Sequence, residues 1–249
     1  MGHQNILVFT DNPFLHREFK DLLRKKDFAE TNFDYSCSPS SKRMFSEPID
    51  SGEMAALVIK NSVETIVERY DLIISIHCKQ LFPAELVHRV RCINVHPGLN
   101  PHNRGWYPQV FSILNKRPHG ATIHEIDEEL DHGPIVAQKN VEIYPWDTSL
   151  SVYERVQIAE LCLLEENIDR ILLGNYATEL PTEEGNINYK ADFAELLHLN
   201  LKEQTTLGAC IDRLRALSHG KYKNAFFTTE MGERVYVSIE LQKDESGVA

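Results

Sequence analysis

The chain has 249 residues, 42% of them apolar and 9% aromatic, with 26 Lys+Arg against 37 Asp+Glu and a formal net charge of −11. This composition excludes a disordered chain, and apolar runs as short as Leu72-Ile73-Ile74 fall far below the roughly 20 residues of a membrane-spanning helix. A surface this acidic repels polyanions at long range, so neither nucleic acid nor a membrane is an expected partner, while a small anion held by a few local cations is allowed.

Asn5–Phe9 reads as a buried strand. Asn12 then offers a helix cap and Pro13 the first helical position, and Leu15, Phe19, Leu22 and Leu23 recur on one helical face. Strands are expected again at 33–37, 56–59, 72–76 and 92–95, with a helix at 63–70. That alternation predicts an α/β fold with a mostly parallel, helix-covered sheet. A short helix at 107–115 and strands at 122–125 and 135–141 follow, the strands separated by an acidic loop. From Thr148 a long helix carries Leu161, Leu164, Ile168, Ile171 and Leu172 along one stripe and stops at Gly174. Residues 175–200 read as a polar loop, Thr206–Leu217 as a helix, and 224–229 with 234–241 as a hairpin. In its second strand Val235, Val237, Ile239 and Leu241 share a face that is expected to pack.

The five cysteines, Cys37, Cys78, Cys92, Cys162 and Cys210, are widely spaced and contain no C-x-x-C, so neither a disulfide framework nor a cysteine zinc site fits. They read as small core hydrophobes. The first residues lack the apolar stretch of a secretory signal, which gives the expectation of a cytoplasmic protein.

The chemistry concentrates in Ile93-Asn94-Val95-His96-Pro97-Gly98. With a strand ending near Val95, Asn94 and His96 project from the same face, at the end of an α/β sheet where ligands bind. The run from Pro97 to Trp106 is too rich in Pro, Gly and Asn to continue a strand. Thirty-seven residues after Asn94, Asp131-His132-Gly133-Pro134 places a carboxylate in a turn before an apolar strand. His77, His96, His102, His124 and His132 also invite a zinc reading, but no H-E-x-x-H or similar spacing occurs, and no metal is expected.

Asn94-x-His96-Pro97 and Asp131-x-Gly133-Pro134, preceded by Asp71-Leu72-Ile73-Ile74-Ser75 and Leu81-Phe82-Pro83, resemble the 10-formyltetrahydrofolate-dependent formyltransferases over about residues 71–138. The resemblance implies a Rossmann-like catalytic domain with Asn94, His96 and Asp131 as catalytic residues. An amide N–H then meets the oxyanion of formyl transfer, an imidazole moves the amine's proton, and Asp131 orients His96 and stabilises its charged form. It also implies 10-formyltetrahydrofolate as co-substrate, held largely by backbone near Gln80, Leu81 and Phe82 and along Ile126, Asp127, Glu128 and Glu129.

Within that family, Thr10-Asp11-Asn12-Pro13 replaces the glycine-rich anion turn of the glycinamide ribonucleotide enzymes, and a carboxylate there is wrong for a phosphate. The short C-terminal stretch, mixed in charge, lacks the basic barrel of the methionyl-tRNA enzymes. The loop His96–Gln109 and the stretch Ile211–Phe226 look instead like sugar N-formyltransferases acting on nucleotide-linked amino sugars, especially dTDP-4-amino-4,6-dideoxyglucose enzymes of surface-polysaccharide pathways. A dTDP-amino sugar is thus the implied substrate. Asn103, Arg104, Trp106 and Tyr107 are expected to line the sugar pocket. Arg213, Arg215, Lys221 and Lys223 are expected to supply charge for a pyrophosphate, with Tyr222 or Phe226 as a ring face for thymine. The expected organisation is a catalytic domain at 1–180 and a small α+β unit at 181–249 ending in the hairpin, the latter a homodimer contact because a lone two-stranded ribbon is rarely stable. A UDP-linked or 3-amino acceptor, a non-catalytic binding protein and a folate hydrolase stand as alternatives.

Overall fold

A computed structural model describes residues 4–244. The first strand, β1 (Gln4–Thr10), leads into α1 (Pro13–Lys26), whose cap is the Asn12 side chain accepting from Leu15 N–H at 3.1 Å. Then come β2 (Thr31–Cys37), the short α2 (Ser46–Asp50), β3 (Met54–Ala56), α3 (Val63–Arg69), β4 (Leu72–Ile76), α4 (Ala84–Val87) and β5 (Arg91–His96). A two-residue β6 (Arg104–Gly105), α5 (Pro108–Asn115), β7 (Gly120–Glu125), β8 (Ile135–Asn140) and the long α6 (Ser149–Leu172) complete the larger part. The remainder holds β9 (Ile187–Asn188), α7 (Lys190–Leu197), α8 (Leu207–Leu217) and the hairpin β10 (Phe226–Thr228) with β11 (Arg234–Tyr236).

The main sheet runs β3-β2-β1-β4-β5-β7-β8, parallel from β3 to β5 and antiparallel at β5-β7 and β7-β8. It is Rossmann-like, with its chain reversal between β1 and β4, the place where open α/β sheets form a ligand crevice. Alternation within strands explains the layers. Ile6, Val8, Ile74, Ile93 and Val95 pack with α1, α5 and α6 on one face, while Leu7, Phe9, Ile73 and Cys92 pack with α3 and α4 on the other. Gly174, at φ 64°, follows α6 where the stop is expected.

Three expectations change. The strand placed at 56–59 is β3 ending at Ala56, after which Val58 C=O accepts from Asn61 N–H and the chain turns. The polar stretch 175–200 contains β9 and α7, with Phe193, Leu196 and Leu197 of α7 reaching the core at helical spacing. The hairpin strands are three residues each, and Val235, expected to pack, is 39% exposed with Tyr236 at 43%. Among the described residues, no helix is long and apolar enough to cross a membrane.

Candidate active site

Asn94 and His96 leave the end of β5 on the same face, as period two requires. The turn after Leu130 brings Asp131 back to them with φ 48°, a left-handed geometry that Asp tolerates better than most residues. Asn94 Nδ2 donates to Asp131 Oδ1 at 3.0 Å, and His96 Nδ1 lies 3.3 Å from Asp131 Oδ2. Gly105 N–H donates to Asp131 Oδ2 at 3.0 Å, and Asn100 Nδ2 donates to the Asp131 carbonyl at 2.8 Å. Ser75 Oγ donates to Asn94 Oδ1 at 2.8 Å, which fixes the amide with its N–H pair inward.

A second imidazole completes the cluster. His124 on β7 pairs in register with Asn94, and its Nε2 stands 3.2 Å from Asn94 Nδ2 and 3.6 Å from Asp131 Oδ1. Its Nδ1–H donates to the Glu125 carbonyl at 2.7 Å, which fixes the plane of the ring beside Asn94 and Asp131. The sequence displays His124 only as one histidine among several. Its place here depends on the antiparallel register of β5 and β7, a long-range property.

His96 is 3% exposed. Burial pushes its imidazole down to about 4, against the opposing pull of Asp131. Burial raises the Asp131 carboxyl, but His96, His124 and the Gly105 N–H outweigh it and hold the group down at about 2. Asp131 thus faces His96 Nδ1 and favours the charged ring, but burial outweighs it, so at neutral pH the ring is neutral with Nδ1–H toward the carboxylate. This leaves a lone pair on Nε2, a buried atom without a hydrogen-bond partner among the described residues. A buried, unpartnered base beside an ionised carboxylate and an amide donor is equipped to take a proton from an incoming amine.

A model of the "Formyl transferase" family matches residues 44–168, and one of the "N-formyltransferase dimerization C-terminal domain" matches 192–243. A dTDP-4-amino-4,6-dideoxyglucose formyltransferase of Mycobacterium tuberculosis is 44% identical over 244 residues, 98% of this chain and 99% of the relative. This chain belongs to the formyl transferase family. Among solved structures, a 4-N formyltransferase from Francisella tularensis matches with TM-score 0.94 and 43% identity, covering 98% of this chain and all of that one. A sugar N-formyltransferase from Shewanella sp. FDAARGOS_354 matches with TM-score 0.92 and 45% identity, covering 97% and 99%.

In this formyltransferase the two stretches expected at the formyl donor lie together, since Phe82 and Ile126 pack on the same apolar cluster. Leu81 is 74% exposed beside them. The Gln80 side chain holds the loop: it donates to Leu57 C=O at 2.9 Å and Ser38 Oγ at 3.1 Å and accepts from Ile59 N–H at 3.1 Å. Asp127 accepts from Glu129 N–H and from His132 Nδ1, while Glu128 meets His88 at the surface.

The expected sugar-nucleotide residues divide. Asn103 is fully buried, its amide bonded to Ser112 and its carbonyl oxygen to Asn115 and Asn186, so it builds the loop instead of facing a pocket. Arg213 is directed inward onto the carbonyls of Leu196 and His198 and the carboxylate of Glu203, and buried Arg215 onto those of Tyr144 and Asp147 and onto Asp212. Both arginines tie α8 to its neighbours, leaving Lys221 and Lys223 as the exposed cations of that stretch. Arg104 is 5% exposed and bonded to Glu184. Trp106 lies under Lys190 Nζ at 3.9 Å, and the Tyr107 ring packs tilted against Phe193 with centroids 4.1 Å apart. Tyr222 is 62% exposed, its ring 5.7 Å from His219; Phe226 is half-buried under Arg234. Among the described residues, Glu129, His132 and Glu184 bring three ligating atoms within 4.8 Å of one another, apart from the Asn94–His96–Asp131 cluster.

Proposed function

We propose that this formyltransferase moves the formyl group of 10-formyltetrahydrofolate onto the amine of dTDP-linked 4-amino-4,6-dideoxyglucose in the cytoplasm, for surface-polysaccharide (O-antigen) biosynthesis. The observation that carries this reading is the 44% identity over 98% of the chain to the mycobacterial relative of that name, with the strand-end cluster complete. The unpartnered, buried Nε2 of His96 fits a reaction whose missing partners are a formyl carbon and an amine. When bound, the folate supplies the activated formyl group. His96 accepts the proton released as the amine becomes an amide, and Asp131 then faces the imidazolium as its counter-charge. Asn94, aimed by Ser75, provides the N–H donor for the developing oxyanion.

We assign catalysis and the folate to residues 1–180 and completion of the nucleotide-sugar site to 181–249, with Tyr222 as the ring for thymine and Lys221 beside the pyrophosphate. Trp106, Tyr107 and Arg104 lie toward the sugar. The dimerization domain matched at 192–243 and the uncovered hairpin face support a homodimer. The test is formyl-donor consumption with dTDP- and UDP-linked amino sugars bearing the amine at carbon 3 or 4. Turnover is expected only with the dTDP-linked 4-amine. Preference for another acceptor reassigns the substrate, and consumption without any sugar replaces transfer by hydrolysis.

A further inference from the structure

Glu160 projects from the middle of α6 between Val156, Ala159, Leu163 and Leu164, and none of its surface is exposed. Burial raises its carboxyl. Its two oxygens lie 2.8 and 2.9 Å from His77 Nε2, and no further hydrogen-bond partner accompanies them among the described residues. Enclosing such a pair is costly, and well-packed apolar residues in its place are often at least as stable. Stability therefore does not account for it; location does.

His77 is the first residue after β4, at the sheet's reversal point, and has φ 57°, a left-handed conformation that is strained for a residue with a Cβ. Its Nδ1 faces Tyr153 Oη at 3.1 Å and Asn12 Nδ2 at 3.3 Å, and Asn12 Nδ2 also donates to Tyr153 Oη at 3.0 Å. One proton arrangement satisfies the group: Asn12 donates to Tyr153, the Tyr153 hydroxyl to His77 Nδ1, and His77 Nε2–H to Glu160. The network thus joins the ends of β1 and β4 to α6. The next residues are fastened in turn, by Lys79 N–H on Asp11 Oδ2 at 2.7 Å and by the Gln80 amide on Leu57 C=O at 2.9 Å. His77 is the hinge between the two sets of anchors.

We infer that Glu160, acting through His77, is a positioning residue for the formyl donor, fixing the direction in which residues 78–82 leave the sheet and hence the shape of the donor's seat. This rests on the reading of Gln80, Leu81 and Phe82 as donor-binding. The test uses Glu160→Leu, which suits the apolar surroundings, and Glu160→Gln, which can still accept from His77. Glu160→Leu is expected to raise the KM for 10-formyltetrahydrofolate roughly tenfold while the KM for the amino sugar stays within about twofold, and Glu160→Gln to stay near the unaltered value. An unchanged donor KM, an equal rise in both KM values, or an equal effect of Gln and Leu overturns the inference. If Glu160→Leu does not fold, His77→Leu/Glu160→Leu, which removes both polar partners together, carries the same readout. Calorimetric binding of 5-formyltetrahydrofolate separates the two levels. Failure of the unaltered protein to bind overturns the donor reading itself, whereas binding that Glu160→Leu leaves intact overturns only the positioning role.

Discussion

Asp131 and Tyr222 mark two regions organised on opposite terms. The Asp131 carboxylate takes N–H groups from Asn94 and Gly105 and faces two imidazoles, while its carbonyl is held by Asn100. Around Tyr222 the ring and both neighbouring lysines are exposed, and so are Val235 and Tyr236 on the nearby β11. The difference teaches how the molecule divides its labour. In the proposed mechanism proton transfer depends on atoms held to within a fraction of an ångström, and the hydrogen bonds on Asp131 supply that constraint. Recognition of an extended ligand, or of a second copy, tolerates a surface that is completed on binding.

The comparison breaks if the two regions respond alike to substitution. His96→Ala or Asp131→Asn is expected to lower kcat by about 10³-fold in a donor-consumption assay, with the circular dichroism spectrum unchanged. The pH profile sharpens the same point. Because burial pushes His96 down to about 4, the base form persists well below the ordinary histidine range. kcat/KM should therefore stay flat as pH falls through about 6.5 and drop only on approach to the lowered value. An acid limb centred near pH 6.5 would contradict the burial argument.

Smaller effects are expected at the other end. Tyr222→Ala should raise the KM for the nucleotide sugar about tenfold with kcat nearly unchanged, measured by varying the sugar at saturating donor. A kcat loss comparable to that of His96→Ala would remove the distinction between the regions. Val235→Asp, placing a charge on the uncovered hairpin face, should shift the sedimentation profile from dimer to monomer at micromolar concentrations; an unchanged profile would locate the dimer contact elsewhere.

The alternation of strands and helices was legible because each β–α unit carries its own periodicity, and Asn94 with His96 was legible because two residues along a strand share a face. His124 and Ser75 were not, since both reach Asn94 from neighbouring strands and no local pattern states a sheet register. The His77–Glu160 pair, 83 residues apart, was hidden for the same reason. For α7 a signal existed in the spacing of Phe193, Leu196 and Leu197, but Pro181 and Gly185 upstream gave the stretch the look of a loop. The basic stretch from Arg213 to Lys223 misled in a different way: charge in sequence carries no information about whether a guanidinium faces solvent or backbone carbonyls.

The pairing of β6 with β9 reaches beyond its two residues per strand. Gly105 at φ 88° and Gly185 at φ 70° allow this approach, since a Cβ on the first would stand 2.4 Å from Asn188 O and one on the second 1.9 Å from Pro101 O. The same Gly105 whose N–H holds Asp131 is thus stitched to the segment that leads into the C-terminal unit. A chain cut after residue 180 would keep Asn94, His96 and Asp131 yet lose β9, the splint beside the Gly105 N–H that holds the Asp131 carboxylate in line.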